Sequence, residues 1–245
     1  MISLSEITTE AIVLKNFRGR DSAALITVLT RKKGIINFHV FGYNSKKFLF
    51  RSALQPINLI NLRLRKDKRG YTLTDAEIRC SYDSIRSDYG KTNTILSIFS
   101  SLIRNHIFEG KDFDLIYHLT KKMLGALNSD TFCLKTCSMY FYYQLAWCIG
   151  ISFSFENPAE GNFCYLQTEN GIFFSRKNAV SGNIANSVTK ELFNRIKLFS
   201  DFKFAELKKL SYITEKEYGE FAELFRRYTQ YHLDRPFIIT QIPED

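Results

Sequence analysis

The sequence predicts an α+β protein. A small antiparallel β-barrel occupies residues 1–80, and an α-helical domain with a small β-hairpin insertion occupies residues 81–245. Three observations predict it. Apolar residues alternate with a period of two as far as Cys80, then recur at three and four from Asp88 onward. Charged turns ending in glycine, Arg31-Lys32-Lys33-Gly34 and Lys66-Asp67-Lys68-Arg69-Gly70, separate alternating runs. The 245 residues, 45% hydrophobic and 24% charged, can bury a sizeable core, which excludes a disordered tail, a collagen or a disulfide-stapled miniprotein.

Ala11 to Leu14 begins the first strand and Ala23 to Thr30 forms the second. Ile35 to Phe41 is the third, with Ile36, Phe38 and Val40 on its buried face. Gly42 to Gln55, closed by Pro56, is a long polar-aromatic connection; Ile57 to Arg65 and Tyr71 to Cys80 are the last two strands. Five short strands with turns between them suit a small closed barrel. Beyond it, Ile95, Ile98, Phe99, Leu102 and Ile103 mark one helical stripe, and Leu115, Ile116, Leu119, Met123 and Leu124 another. A third helix is expected from Thr131 to Ile149, capped by Asp130. Thr136 to Phe155 carries no charge, yet Tyr140, Tyr142, Tyr143 and Trp147 sit mid-segment, where a membrane helix avoids them. The centre of a helical bundle suits it better. Asn162–Tyr165 and Gly171–Ser175 are expected to pair as a hairpin, and Val188 to Leu198 to be a helix. The last helix opens on a Thr214-x-x-Glu217 capping box, with Tyr218, Phe221, Phe225 and Tyr228 on one face.

The charge is uneven. Residues 1–80 hold 15 Lys/Arg against 6 acids, whereas residues 81–245 hold 19 of each, so the net +9 lies wholly in the strand region. Five cysteines, an odd number with no CxxC pair, read as reduced thiols, and Met1 to Glu10 has no apolar run of a secretory signal; a cytoplasmic protein is expected. Catalytic signatures are absent: no phosphate loop, GxGxxG, GxSxG or HExxH. His39, His106, His118 and His232 are scattered, Asp112 and Asp114 suit the first turn of a helix, and Cys133 with Cys137 has no second half of a metal site. No enzyme activity, metal or cofactor is therefore expected. Polyanion binding is different, because it needs dense cations on one surface. The candidate phosphate contacts are Arg31, Lys32, Lys33, Lys46, Lys47, Arg51, Arg65, Lys66, Lys68 and Arg69. Phe17, Tyr43, Phe48, Phe50 and Tyr71 lie among them, as rings for base stacking or for the core. An RNA-binding module is the rival reading; a nuclease would need paired carboxylates that the basic region lacks.

Several motifs in order carry a resemblance. They are Thr8-Glu-Ala-Ile-Val-Leu-Lys15, Val28-Leu-Thr-Arg-Lys-Lys-Gly34, Gly42 before Ser45-Lys46-Lys47, Ala53-Leu-Gln-Pro56 and Tyr71-Thr-Leu-Thr-Asp-Ala-Glu77. Ile149-Gly150 and Tyr231-His-Leu-Asp-Arg-Pro236 follow. With them the chain resembles the bacterial RecO family of DNA-repair proteins. The resemblance implies an OB-fold for the barrel and a helical domain after it. It implies binding of single- and double-stranded DNA, strand annealing, and cooperation with RecR. It also implies recognition of the acidic tail of single-stranded DNA-binding protein, so that RecA can replace that protein during recombinational repair. An apolar slot for the tail's terminal Phe, with a cation for its carboxylate, would lie among the helices, with Arg104 or Lys135 as the cation. Many relatives carry a four-cysteine zinc module after the third helix; here, within about 156–180, only Cys164 remains, so no metal is expected.

Overall fold

The computed structural model describes residues 5–19, 22–68, 70–105, 113–155, 163–174, 184–201, 203–210 and 212–242. They fall into two compact units. The first comprises residues 1–87 with 108–125, and the second residues 88–107 with 126–245.

In the first unit, β1 (Ser5–Arg18), β2 (Ala24–Thr30), β3 (Gly34–Val40), β4 (Leu59–Asp67) and β5 (Gly70–Cys80) close a barrel in the order β1-β2-β3-β5-β4. Every neighbouring pair is antiparallel except β3 and β5, which meet in parallel at His39 and Thr72. The interior follows from the alternation: Val13, Ile26, Val28, Ile36, Phe38, Ile60, Leu62 and Leu64 are all buried there. The barrel closes between β3 and β5 through that single paired position. The expected hairpin at residues 31–34 is present. Gly34 ends it at φ +62°, and a Cβ there would stand 2.6 Å from the Phe113 ring; only glycine meets both demands. Helix α1 (Asp83–Ser87) follows the barrel, and the Phe113–Gly125 part of α3 (Phe113–Asn128) also belongs to this unit. The compact unit thus takes in α1 and this part of α3 besides the barrel.

The second unit contains α2 (Tyr89–Arg104), α4 (Leu134–Cys148), α5 (Lys190–Asp201) and α6 (Glu215–His232). The 15 residues of α4 span about 22 Å, short of a bilayer core of about 30 Å. No helix among the described residues is long and apolar enough to cross a membrane. Lys135 through Tyr143 of α4 are buried without a break, as expected of a bundle centre. The tyrosine hydroxyls find partners: Tyr142 donates to the Ile238 carbonyl at 2.6 Å, and Tyr218 shares a 3.0 Å hydrogen bond with Ser138.

Three expectations are corrected. Asp130 does not cap α4. Its backbone lies at φ +51°, its carboxylate pairs with Lys91, and Cys133 occupies the cap position without a side-chain hydrogen bond. The hairpin β7 (Phe163–Gln167) with β8 (Ile172–Phe174) exists, but as the middle of a four-stranded sheet, β6-β8-β7-β9, with β6 at Ser154–Phe155 and β9 at Ile184–Thr189. The expected helix from Val188 therefore starts later. Val188 and Thr189 end β9, and Thr189 caps α5 by accepting from the Leu192 N–H at 3.3 Å.

Candidate nucleic-acid interface

The outer face of the barrel is built by register. Directly paired residues point to the same side of a sheet. The pairs Phe17–Leu25, Leu25–His39, His39–Thr72 and Thr72–Arg65 therefore form one circumferential row across five strands. Its members are exposed except Leu25, which is half-buried. Arg65 stands two strand spacings from His39, about 10 Å away. Lys66 follows it, its ammonium 5.7 Å from the Tyr71 ring centroid.

The long β3–β4 connection leaves the same end of β3 as His39. Its core is Tyr43, fully buried. The Tyr43 hydroxyl accepts from Asn16 Nδ2 at 2.6 Å and Gln55 Nε2 at 3.0 Å, and its backbone N–H donates to the Ser22 carbonyl at 2.7 Å. Arg51 closes the loop. Its Nε and Nη2 donate to the Tyr43 carbonyl at 3.1 and 2.8 Å, and Nη2 donates to the Ser45 carbonyl at 2.8 Å. Both Arg51 and Arg18 also lie within cation–π range of the Tyr43 ring, at 5.8 and 5.7 Å. Arg51, named from the sequence as a phosphate contact, has these donors committed to the chain itself. Lys46 and Lys47 ride exposed on the loop so held.

The rings divide. Phe48 and Phe50 are half-buried against the barrel core and touch each other edge to face, at 5.8 Å between centroids. Tyr43 and Tyr71 also pack there, so of the five rings named from the sequence only Phe17 is open, at 58% exposure. Phe41 was not singled out, yet it is 81% exposed. The signal was in the alternation: with Ile36, Phe38 and Val40 inward, Asn37, His39 and Phe41 share the outward parity.

The β2–β3 hairpin tip is placed differently. It leaves the opposite end of the seven-residue β3, about 20 Å from the long loop. Lys32 and Lys33 are exposed there, but Arg31 pairs with Asp114 in the first turn of α3. The hydrogen bond from Arg31 holds the Asp114 carboxyl below its ordinary value, and Asp114 holds the guanidinium above its own. His118 stands 3.5 Å from the same carboxylate. Deeper along the same helix, Lys121 Nζ donates to Glu10 at 2.6 Å, and the Tyr117 hydroxyl donates to the same carboxylate. Lys32, Lys33, Lys46, Lys47, Arg65, Lys66 and Lys68 form no ion pair with any described residue. Arg69 and Asp112 lie outside the described residues.

The two cations named for a partner's tail occupy separate places in the second unit. Lys135 lines a cleft of about 500 Å³ with Tyr89, Phe132, Leu134, Tyr212 and Ile242, its ammonium 5.6 Å from the Tyr212 ring centroid. Arg104 borders a smaller hollow of about 340 Å³ with Asn105 and the segment His232–Arg235. Cys164 is the single cysteine of the 156–180 stretch. It is buried on β7, and burial raises its thiol pKa; burial likewise pushes Cys137 up to about 12. Among the described residues no three His, Cys, Asp or Glu side chains are grouped to hold a metal ion.

Residues 1–82, the whole of the barrel, match the family model "Recombination protein O N terminal". The barrel is thus similar to the amino-terminal domain of that family. The chain is also similar to the DNA repair protein RecO of Alkaliphilus metalliredigens (strain QYMF), at 23% identity over 139 residues. That stretch is 57% of this chain and spans a little over half, 56%, of the relative. The resemblance to RecO read from the motifs holds, and the closed five-stranded barrel followed by helices agrees with it.

Proposed function

We propose that the chain is a DNA-binding recombination mediator. It anneals complementary single strands and helps RecA replace single-stranded DNA-binding protein during recombinational repair. The observation that carries this is the set of exposed cations on a RecO-type barrel, Lys32, Lys33, Lys46, Lys47, Arg65, Lys66 and Lys68, free of ion pairs with described residues. Such cations take phosphates and release condensed counterions, which attracts any sequence alike. Arg51 and Arg31 serve as supports, one for the loop and one for the hairpin. Annealing requires no bond-making step, so no catalytic residue is assigned. Two polyanionic strands repel, and a cationic surface that screens one raises its rate of encounter with the other.

In this reading RecR is a partner, and the acidic tail of single-stranded DNA-binding protein docks on the second unit. The cleft at Lys135 is preferred to the hollow at Arg104 because it is larger and sets Tyr89, Phe132 and Tyr212 beside the ammonium, while Lys91 takes up the Asp88 and Asp130 carboxylates that also line it. The test is strand annealing on DNA coated with that protein, with and without its tail. Annealing of coated DNA that depends on the tail supports the reading, and failure to anneal even bare strands ends it. Competition between DNA and RNA oligonucleotides of one sequence decides against the RNA-binding alternative if DNA wins.

A further inference from the structure

We infer that Phe17 and Phe41 form a stacking platform for unpaired bases, making this interface selective for single-stranded over duplex nucleic acid. The inference rests on the nucleic-acid reading above and adds the substrate form. Both rings belong to the barrel unit and both are open, at 58% and 81% exposure. They differ in this from Tyr43, Phe48 and Phe50, which the core consumes. Phe17 shares the outward row with His39, across a single intervening strand and thus about 10 Å away. Phe41 follows His39 by two residues, one past the end of β3, so it is displaced from that row along the strand direction, on the side of the long loop. Charge complementarity identifies the occupant. The Lys15 ammonium lies 5.8 Å from the Phe17 centroid, and Lys46 and Lys47 follow Phe41 in the loop that Arg51 fixes. A ring with a cation beside it matches the alternation of base and phosphate along a single strand. In a duplex the base faces are already stacked, so the rings would contribute nothing there.

The chain has one tryptophan, Trp147, in the second unit. A Trp147→Phe background therefore makes Phe17→Trp or Phe41→Trp the sole indole. Oligo-dT is added while binding is followed independently by anisotropy of a labelled strand. Quenching of the introduced indole in step with binding is the expected result, with little change on adding a blunt duplex. In parallel, Phe17→Ala and Phe41→Ala should each weaken single-strand affinity about five-fold or more, leaving duplex affinity and the salt slope unchanged. Binding of oligo-dT with unaltered indole emission, or an equal loss on duplex and single strand, overturns the platform while leaving the nucleic-acid reading intact. Absence of binding by the unmodified chain overturns both.

Discussion

Arg51→Lys separates a clamp from a phosphate contact. The guanidinium makes three hydrogen bonds to the Tyr43 and Ser45 carbonyls and lies near the Tyr43 ring. A lysine keeps the charge but cannot reproduce the planar fork. Hydrogen bonds from a charged donor contribute about 1.5–3 kcal/mol each when well shielded, and less at a half-exposed site such as this one. Retaining one of three leaves a loss of about 2 kcal/mol in the local stability of the loop, which corresponds to about 30-fold faster amide exchange. The amides to follow are Tyr43, Ser45 and Phe48, each of which donates to a backbone carbonyl in the intact loop. Arg51→Lys and Arg51→Ala should both accelerate their exchange, and both should weaken DNA binding by releasing Lys46 and Lys47. Unchanged exchange in both variants, with lysine restoring full affinity, would refute the clamp and return Arg51 to the phosphate contacts.

Other consequences are open to measurement. Asp114→Asn frees Arg31, so the salt dependence of single-strand binding should steepen by about 0.7, one additional phosphate contact; an unchanged slope means Arg31 stays off the nucleic acid. Glu10 gives a pH dependence: burial raises its carboxyl pKa, but the hydrogen bonds from Lys121 and Tyr117 outweigh this and hold it below the ordinary 4.5. The unfolded chain therefore takes up this proton first, so the contribution is complete above that value and is lost as pH falls through the lower folded one. Glu10→Gln should lower the denaturation midpoint at neutral pH and lose less on acidification, whereas parallel acid losses in both proteins would contradict the assignment. Gly34→Ala should destabilise the barrel by about 1–2 kcal/mol from the left-handed backbone alone. The Phe113 ring 2.6 Å from the new Cβ adds to this, and Phe113→Ala should relieve only that addition in a double-mutant comparison of denaturation midpoints.

Much of the fold was legible because the barrel uses strong local signals. Inward positions such as Ile36, Phe38 and Val40 alternate, and the turn after Thr30 ends on a glycine that has to be one. Long-range partners were less visible. Asp130 has the chemistry of a helix cap, and only the fold shows that Lys91, 39 residues earlier, takes its carboxylate. The strand β9 was hidden because Val188 continues the apolar spacing of Leu192, Phe193 and Ile196. Its boundary is set by pairing with β7 and by Glu220, which accepts from the Thr189 N–H at 2.7 Å. The cations of the candidate site were legible as a set, but their division was not. Sequence spacing does not show that the hairpin at residues 31–33 and the loop at 46–47 leave opposite ends of β3, nor that Asp114 answers Arg31.

The central claim is that exposed cations on the outer barrel hold a sugar-phosphate backbone. Its most direct measurement is the slope of log affinity against log salt for a single-stranded oligonucleotide. The full chain is compared with a variant carrying Lys46→Ala, Lys47→Ala, Arg65→Ala, Lys66→Ala and Lys68→Ala. Five lost phosphate contacts should flatten the slope by about 3.5, while substitution of five lysines in the second unit leaves it unchanged. An identical slope in the barrel variant, with the fold intact by circular dichroism, would contradict the claim.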